Sequence, residues 1–256
     1  VDISNIFISH CPERVLPGNI MKELVNNDRI VGGVNEKSTT HTVNFYKRFV
    51  DGEILSTDAK TAEMAKLTEN SFRDVNIAFA NELSILCDNL DMDVAKLIKL
   101  ANKHPRVDIL NPGPGVGGHC IAVDPWFIIH KDPKNAKLIR TARELNNYKT
   151  DWVIEKIKSK AQKFKENNKK NPKIACLGLA FKPDIDDLRE SPALHIANEL
   201  KNFGFSILAV EPNIENHLEL DIVNLKDALD IADLVVILVR HKEFKNLNLQ
   251  NMLDFS

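Results

Sequence analysis

The sequence predicts a two-part protein of the α and α/β class, with a central helical part followed by a parallel α/β part. Helical periodicity without an internal glycine or proline runs from Ser56 to Leu90, and a second long helical pattern covers 132–164. After residue 172, the apolar runs "KIACLGLAF", "SILAVEP" and "DLVVILV" alternate with helical patterns. Such alternation is typical of a parallel sheet whose two faces are both covered by helices. The polar run "KENNKKNP", residues 165–172, is the predicted linker.

The composition is that of a globular protein of one large domain or two modest ones. Of the 256 residues, 43% are hydrophobic and 27% are charged, and the formal net charge is -2. A near-neutral charge argues against nucleic acid as the main partner. The chain has no apolar run long enough to cross a membrane and no secretion signal at its start. Its four cysteines form no CxxC pair, so we expect reduced thiols and a cytoplasmic protein.

The individual elements follow from caps and periodicity. Residues 2–9 form an expected short strand, ended by Cys11-Pro12. The first long helix carries one apolar face and is long enough to form the spine of a dimer; that face contains Ala65, Phe72, Val75, Phe79, Leu83 and Leu86. Shorter helices are expected at 93–103 and from near Val123. The second long helix is expected to begin at Asp132-Pro133, and the helix at 191–204 has Ser191 as its cap and Gly204 at its end.

The stretch "GPGVGGHCIAVDPW", residues 113–126, is the strongest local signal. Four of its residues are glycines, namely Gly113, Gly115, Gly117 and Gly118. Because glycine has no side chain, the backbone N–H groups of this loop can approach a ligand closely. A helix beginning just after Cys120 would favour its thiolate form, and Asp124 lies one turn further on. The alternative interpretation is a glycine turn before a helix, with an inert cysteine.

Two further interpretations of this stretch have weaker support. The side chains of His119, Cys120, Asp124 and His130 are of the types that bind metals, but their spacing matches no zinc motif. A Cys/His nucleophile pair is disfavoured because His119 is adjacent to Cys120, and neighbouring side chains seldom point at each other.

Other candidate residues are ambiguous when taken alone. Lys66 and Asn70 share one helix face and could stabilise an oxyanion, or Lys66 could pair with a neighbouring glutamate. Glu13-Arg14 follows a strand end, and Arg106 lies in "KHPRV"; either could be an ordinary surface charge.

The segment "LGLAFKPDIDDLRESPA" suits a nucleotide. A strand meets a turn at Gly178, followed by the basic residues Lys182 and Arg189 and by a helix N-terminus at Ser191. Glu211 ends the next strand, where a ribose-binding acid would lie. The pattern is not G-x-G-x-x-G, so it indicates a dinucleotide only weakly.

Taken together, these segments resemble the UDP-glucose/GDP-mannose dehydrogenase family. The matching stretches are "PERVLPG", "AEMAKLTENSFRDVNIAFANEL", "HPRV", "GPGVGGHCIAVDPW" and "GLAFKPDIDDLRESPA", in family order across nearly the whole chain. Two of these stretches resemble the N-acetylmannosamine branch of the family. In "PERVLPG" an arginine follows the glutamate, where the UDP-glucose branch usually has phenylalanine, and the second stretch is "GGHCIAVDPW".

The resemblance implies an NAD-dependent, four-electron oxidation of a UDP-sugar C6 alcohol, with UDP-N-acetyl-D-mannosamine as the expected substrate and UDP-glucose as the alternative. By this resemblance Cys120 becomes the thioester carrier, Lys66 and Asn70 stabilise the oxyanion, Asp124 assists proton transfer, and Glu13 handles the hydrolytic water or the sugar. The implied substrate-binding residues are Arg14, Arg106, Gly113, Gly115, Gly117, Gly118, His119, Phe181 and Lys182. Arg189 is the implied contact to the NAD diphosphate, and no metal is implied.

The resemblance also implies a homodimer through the long central helix, with Arg106 reaching the substrate of the partner subunit. Family members begin with a Rossmann domain that carries a Gly-rich NAD fingerprint, and this domain is expected to be missing here. The expected domains are a remnant at 1–18, a helical catalytic and dimerisation domain at 19–165, and a Rossmann-like UDP-binding domain at 172–256. We therefore expect a fragment that does not turn over alone. The alternative is a non-catalytic module that binds nucleotide sugars or dimerises.

Overall fold

The computed structural model describes residues 6–15, 19–247 and 252–256. The chain divides into two compact units, 1–70 and 71–256, with the division inside one long helix. In neither unit do the described residues form a helix that is long and apolar enough to cross a membrane.

The first unit contains a small sheet and its helices. Its elements are β1 (Ser9–His10), α1 (Ile20–Asn26), β2 (Arg29–Gly33), α2 (Glu36–Tyr46), β3 (Ile54–Asp58) and the start of α3 (Ala59–Asn89). In the described residues the strand order is β1-β2-β3, with β1 antiparallel and β3 parallel to β2. Asn35 caps α2 by accepting a hydrogen bond from the Ser38 N–H at 2.9 Å.

Two expectations for this region were wrong. The expected remnant at 1–18 is not an isolated strand, since Ser9 pairs with Gly33 and His10 with Gly32 in a sheet. The stretch from residue 19 onward is not helical throughout, because "RIVGG" and "ILSTD" form β2 and β3. Both runs are only five residues long, too short for periodicity to separate a strand from a helix. The expected strand residues 2–5 lie outside the described residues.

The second unit contains most of α3 and the parallel sheet. Its other elements are α4 (Val94–Ala101), α5 (Asp124–Lys131), α6 (Lys137–Asn168), β4 (Lys173–Leu177), α7 (Pro192–Asn202), β5 (Ser206–Val210), α8 (Leu225–Ile231), β6 (Leu234–Ile237), a 3₁₀ turn (Lys242–Phe244) and β7 (Met252–Asp254). The described strands are parallel in the order β5-β4-β6-β7.

This sheet is buried on both faces, as its apolar strands predict. Ile174 and Cys176 of β4 belong to a core that includes α6 and α7, whereas Ala175 and Leu177 belong to a second core that includes α8. Successive side chains of a strand point to opposite faces, so an unbroken apolar run fills both cores. The carboxyl ends of the strands are therefore the positions left open for polar residues.

The ends of the helices differ in part from expectation. Ser191 caps α7 by accepting a hydrogen bond from the Leu194 N–H at 3.3 Å, as its position predicts. The long helix α6 begins at Lys137 rather than at Asp132-Pro133. The Asp132 carboxylate instead accepts hydrogen bonds from the backbone and side chain of Asn135, a local turn that competes with helix formation. At its other end α6 continues through Asn168, into the predicted linker.

Candidate functional site

Three of the four glycines of the 113–118 loop, Gly115, Gly117 and Gly118, are required by close packing. A Cβ on Gly117 would lie 2.4 Å from the Glu190 carbonyl oxygen, and one on Gly115 would lie 2.3 Å from Thr150 Oγ1. Gly118 has φ 78 and packs against the Phe181 ring. Positive φ and contacts of this length exclude larger side chains. The loop is therefore held directly against the segment of the α/β part that contains Phe181.

Buried polar groups of α3 and α6 hold the loop on both sides of Cys120. The Gly113 N–H donates to Asn81 Oδ1 at 2.8 Å, and Thr150 Oγ1 donates to the Pro114 carbonyl at 2.9 Å. Beyond the cysteine, Arg143 Nη1 donates to the Ile121 carbonyl at 3.4 Å. Cys120 is itself exposed. An accessible thiol thus lies between two anchored ends of one loop.

The anchoring side chains form one hydrogen-bonded ladder between α3 and α6. Arg143 Nη1 donates to Asp74 Oδ1 at 2.8 Å, and Asn146 Nδ2 donates to the same oxygen at 2.8 Å. Asn81 Nδ2 donates to Asn146 Oδ1 at 2.9 Å. All four side chains are at most 4% exposed. Burial raises the pKa of Asp74, although Arg143 and Asn146 oppose that shift. The glycine loop therefore rests on a buried, hydrogen-bonded support.

The turn after Cys120 differs from the expected one. Helix α5 begins at Asp124, so no helix starts directly after the cysteine. The Asp124 N–H donates to the Cys120 carbonyl at 2.8 Å, which places the two residues at the ends of one tight turn. The premise that Cys120 lies at a helix N-terminus is therefore wrong.

Two charged residues of the 181–191 region lie within electrostatic range of the cysteine turn. Arg189 forms a bidentate pair with Asp187, with Nε to Oδ1 at 2.9 Å and Nη2 to Oδ2 at 2.7 Å. This pairing lowers the pKa of Asp187 to about 2, with a smaller contribution from His119. The pKa of Arg189 is raised, first by Asp187 and to a smaller extent by Cys120. The Asp187–Arg189 pair thus lies near the turn that contains His119 and Cys120.

A cavity of about 500 Å³ lies where the glycine loop meets the carboxyl edge of the parallel sheet. The glycine loop contributes Gly113 and Gly115, the segment after β4 contributes Phe181 and Lys182, and the chain after β6 contributes Arg240. Two cations, an aromatic ring and glycine backbone around one cavity suit an anionic ligand with a planar ring.

Glu211 does not lie where a ribose could reach it. It is 2% exposed, and its Oε2 accepts hydrogen bonds from the Leu179 N–H at 2.7 Å and the Ala180 N–H at 3.0 Å. The carboxylate also lies 3.0 Å from His241 Nε2. The prediction that Glu211 is a ribose-binding acid is therefore wrong, because its oxygens are already engaged within the protein.

In the first unit, the candidate site residue Arg14 lies close to the α3 segment that contains the candidates Lys66 and Asn70. Arg14 pairs with Glu69 at 3.0 Å, which joins the "PERV" loop to α3 between Lys66 and Asn70. Glu13 accepts hydrogen bonds from the N–H groups of Arg14 and Val15, at 2.7 Å and 3.0 Å.

Glu13 is held by a buried cation. Arg29 is 4% exposed, and its Nη1 lies 3.4 Å from Glu13 Oε2. Partial burial alone would raise the pKa of Glu13, but the Arg14 N–H and the Arg29 guanidinium lower it below the ordinary value. The charged side chains of Arg14 and Glu13 thus form ion pairs with Glu69 and Arg29 rather than with each other.

Arg106 lies in an exposed segment after α4, outside the cavity described above. Its backbone N–H donates to His104 Nδ1 at 3.3 Å. In the part of the chain that the structure describes, no group of three or more histidine, cysteine, aspartate or glutamate side chains could hold a metal ion.

Reasoning from the sequence missed the residues that support the site. Asn81, Arg143, Thr150 and His241 each fix a backbone group beside a predicted site residue. A signal for three of them exists: Asp74 and Asn81 are seven residues apart on α3, and Arg143, Asn146 and Thr150 share one face of α6. Polar residues repeated on the inner face of a long helix indicate a buried network.

Three models of one family match successive parts of the chain. Residues 2–50 match the NAD-binding domain, residues 60–148 the central domain, and residues 175–255 the UDP-binding domain of the UDP-glucose/GDP-mannose dehydrogenase family. The chain belongs to this family. The expectation that the NAD-binding Rossmann domain is missing was wrong, because residues 2–50 match that domain, and β1 and β2, which lie within this range, are paired in a sheet.

Relatives within this family are similar over nearly the whole chain. A UDP-N-acetyl-D-mannosamine dehydrogenase of Campylobacter jejuni is 58% identical over 99% of the chain and 63% of its own length. An NDP-N-acetyl-D-galactosaminuronic acid dehydrogenase of Ralstonia solanacearum is 53% identical over 96% of the chain and 58% of its own length. The chain thus spans about three fifths of these relatives.

A solved UDP-N-acetyl-mannosamine dehydrogenase of Staphylococcus aureus has a TM-score of 0.82 and 49% identity, over 95% of this chain and 58% of that one. A UDP-D-ManNAc dehydrogenase of Pyrococcus horikoshii has a TM-score of 0.84 and 42% identity, over 94% of this chain and 56% of that one.

Proposed function

We propose that the protein is an NAD-dependent dehydrogenase that oxidises the C6 alcohol of UDP-N-acetyl-D-mannosamine to the carboxylate. The observation that carries this proposal is the exposed Cys120, set in a glycine-rich loop between two anchored ends. The 58% identity to a UDP-N-acetyl-D-mannosamine dehydrogenase supports the choice of substrate.

The chemistry explains why a cysteine is needed. Oxidation of the alcohol gives an aldehyde, to which the Cys120 sulfur adds as a thiolate to form a thiohemiacetal. Loss of a second hydride leaves a thioester, and water then releases the acid and the thiol. One sugar, one water and two NAD⁺ give the carboxylate, two NADH and three protons. NAD, when bound, accepts the hydrides; the chain's own residues bind and orient the sugar.

The other catalytic roles follow the family resemblance. Lys66 and Asn70 lie one turn apart on α3, so both can stabilise negative charge on the sugar C6 oxygen. Asp124, at the start of α5, moves a proton at that oxygen. Glu13, whose pKa is lowered by the Arg14 N–H and Arg29 against the effect of burial, stays ionised and accepts a proton from the hydrolytic water.

We assign the UDP-sugar to the cavity beside the glycine loop. In this proposal Gly113, Gly115, Gly117 and Gly118 give the UDP moiety access to backbone, and Phe181 and Lys182 contact it from the α/β part. By the family resemblance, His119 and Arg14 are also assigned to the substrate. The match of residues 175–255 to the UDP-binding domain supports this assignment.

One residue of the α/β part, Arg189, is assigned to the cofactor NAD. Arg189 is an exposed cation, 67% accessible, that forms a bidentate pair with Asp187. A guanidinium is the group that best matches a diphosphate, so we assign Arg189 to the NAD diphosphate. The match of residues 2–50 to the family's NAD-binding domain supports the same cofactor.

We also propose a homodimer formed through α3, with Arg106 acting at the partner subunit's substrate. The α3 apolar stripe, defined as Phe72, Phe79 and Leu86, repeats every seven residues and is 67%, 50% and 48% exposed. A heptad stripe of large exposed apolar side chains is typical of a helix that packs against another helix.

The activity is tested by stoichiometry in the natural full-length protein. With UDP-N-acetyl-D-mannosamine, two NADH are expected for each sugar consumed, and the Cys120→Ser variant is expected to lose turnover by at least a thousandfold. UDP-N-acetyl-D-galactosamine serves as the competing substrate, because one relative is named for that sugar acid. One NADH per sugar, or an active Cys120→Ser variant, would refute the cysteine mechanism.

A further inference from the structure

We propose that Glu211 and His241 form a positioning pair that sets the conformation of segment 179–184, and through it the placement of Phe181 and Lys182 for nucleotide-sugar binding. This inference rests on the proposed function. Neither residue touches the proposed substrate; both act through the backbone of the segment.

The two residues come from strands on either side of the segment. Segment 179–184 follows β4, Glu211 directly follows β5, and His241 follows β6. Because β5 and β6 flank β4 in the sheet, their carboxyl ends meet beneath the loop that leaves β4. His241 Nε2 lies 3.0 Å from Glu211 Oε2, and both side chains are at most 2% exposed.

The pair fixes both ends of the segment. At its start, Glu211 Oε2 accepts hydrogen bonds from the Leu179 and Ala180 N–H groups, at 2.7 Å and 3.0 Å. At its end, His241 Nδ1 accepts a hydrogen bond from the Asp184 N–H at 2.9 Å. Phe181 and Lys182 lie between these fixed ends, and both line the 500 Å³ cavity.

The hydrogen bonds of His241 determine which nitrogen carries the proton. Because Nδ1 accepts from the Asp184 N–H, the ring proton lies on Nε2, which donates to Glu211. The second carboxylate oxygen, Glu211 Oε1, accepts from the Asn213 backbone and side chain, each at 3.1 Å. Each oxygen of the buried carboxylate is therefore engaged.

This arrangement keeps Glu211 ionised. Burial alone would raise its pKa, but the hydrogen bonds from His241, from Leu179 and from Asn213 lower it to about 2. A buried anion that accepts several N–H donors fixes their directions more strictly than a neutral acceptor does. The segment is therefore held in one conformation before a ligand arrives, which lowers the cost of binding.

Two substitutions test whether Glu211 and His241 position the segment or only stabilise the fold. His241→Gln keeps a donor toward Glu211 but removes the acceptor for the Asp184 N–H. Glu211→Gln keeps the shape but offers one acceptor oxygen instead of two. We expect about tenfold faster amide hydrogen exchange in segment 179–184 and about tenfold weaker UDP binding by calorimetry in each variant. In turnover assays of the full-length protein, KM for the UDP-sugar should rise while kcat changes less than twofold.

The control is His217→Gln. His217 Nδ1 likewise accepts a backbone hydrogen bond, from the Glu219 N–H at 3.2 Å, but His217 does not line the cavity. This variant should keep wild-type UDP affinity. If His241→Gln does not fold by circular dichroism, Glu211→Gln decides the question. Normal UDP binding with unaltered exchange in the folded variant overturns the positioning pair alone, whereas failure of the wild-type protein to bind UDP overturns the proposed function.

Discussion

At the scale of single residues, the glycine loop contains its own matched control. A Cβ on Gly117 would lie 2.4 Å from the Glu190 carbonyl and 2.7 Å from Pro192 Cδ, whereas the nearest atom to a Cβ on Gly113 lies at 3.8 Å. We expect Gly117→Ala to lower the free energy of unfolding by about 1–3 kcal/mol. Gly113→Ala should stay within about 0.5 kcal/mol of wild type. Urea denaturation measures both, and equal stability of the two variants would contradict the packing described above.

Lys149 on α6 gives a prediction with a defined pH dependence. The side chain is 3% exposed, donates to Ser84 Oγ at 2.7 Å and lies 4.0 Å from the centre of the Trp152 ring. Burial lowers its pKa from 10.5 to about 8, with Asp88 opposing and Lys156 adding to the shift. A folded-state pKa below the unfolded one means that the unfolded chain binds more protons between these values. Stability should therefore rise with pH through this window.

Replacement of Lys149 by methionine should remove the free-energy cost of burying a charged ammonium group. We expect Lys149→Met to raise the free energy of unfolding by about 1–3 kcal/mol at pH 7, and the gain to vanish near pH 10.5. Lys163→Met, at an exposed position of the same helix, should change stability little at either pH. Urea denaturation at pH 7 and pH 10.5 tests this, and a gain that does not depend on pH would show that the charge is not its cause.

At the scale of secondary-structure elements, the α3–α6 contact depends on a buried ion pair. Arg143→Met would leave the Asp74 carboxylate without its cation and should destabilise the protein by about 3–5 kcal/mol. The double variant Asp74→Leu, Arg143→Met should recover much of this loss, because no charge remains buried. Calorimetric unfolding of the three proteins measures the effect, and a single variant as stable as wild type would refute it.

The elements could be predicted where one physical signal dominated. The strands β4, β5 and β6 are short apolar runs bounded by caps and turns, and the Ser191 cap of α7 forms as expected. The start of α6 could not be predicted, because the Asp132–Asn135 turn competes with a helix cap of the same residue type. The strands β2 and β3 were missed because five residues carry too little periodicity.

The candidate site was predictable in its motif and not in its support. The glycines and Cys120 stand out in the sequence because four glycines within six residues leave the backbone free of side chains beside the cysteine. The polar repeats on α3 and α6 indicate a buried network, but they do not reveal its partners. Asn81, Thr150 and His241 form tertiary hydrogen bonds with residues more than 25 positions away, and local patterns do not encode such pairings. For Glu211 the local pattern is misleading. Its position at a strand end suggests ligand binding, but its carboxylate is bonded to other groups of the protein.

At the scale of the whole molecule, the α3 apolar stripe leads to a prediction about assembly. The apolar face expected of this helix is partly turned outward, with Phe72, Phe79 and Leu86 exposed, while Asp74 and Asn81 are buried. We expect the protein to be a dimer in sedimentation equilibrium, and Phe79→Glu to make it monomeric. Leu218→Glu, at a fully exposed leucine, should leave the dimer intact. A monomeric wild-type protein, or a dimeric Phe79→Glu variant, would contradict the proposed interface.

Protection of Cys120 from alkylation tests most directly whether this cysteine belongs to a nucleotide-sugar site. Cys120 is exposed, whereas Cys87 and Cys176 are buried, so iodoacetamide should modify Cys120 well ahead of those two. Saturating UDP-N-acetyl-D-mannosamine should slow the modification of Cys120 at least tenfold by mass spectrometry, and free N-acetylmannosamine should not. An alkylation rate of Cys120 that is the same with and without the UDP-sugar would contradict its placement in that site.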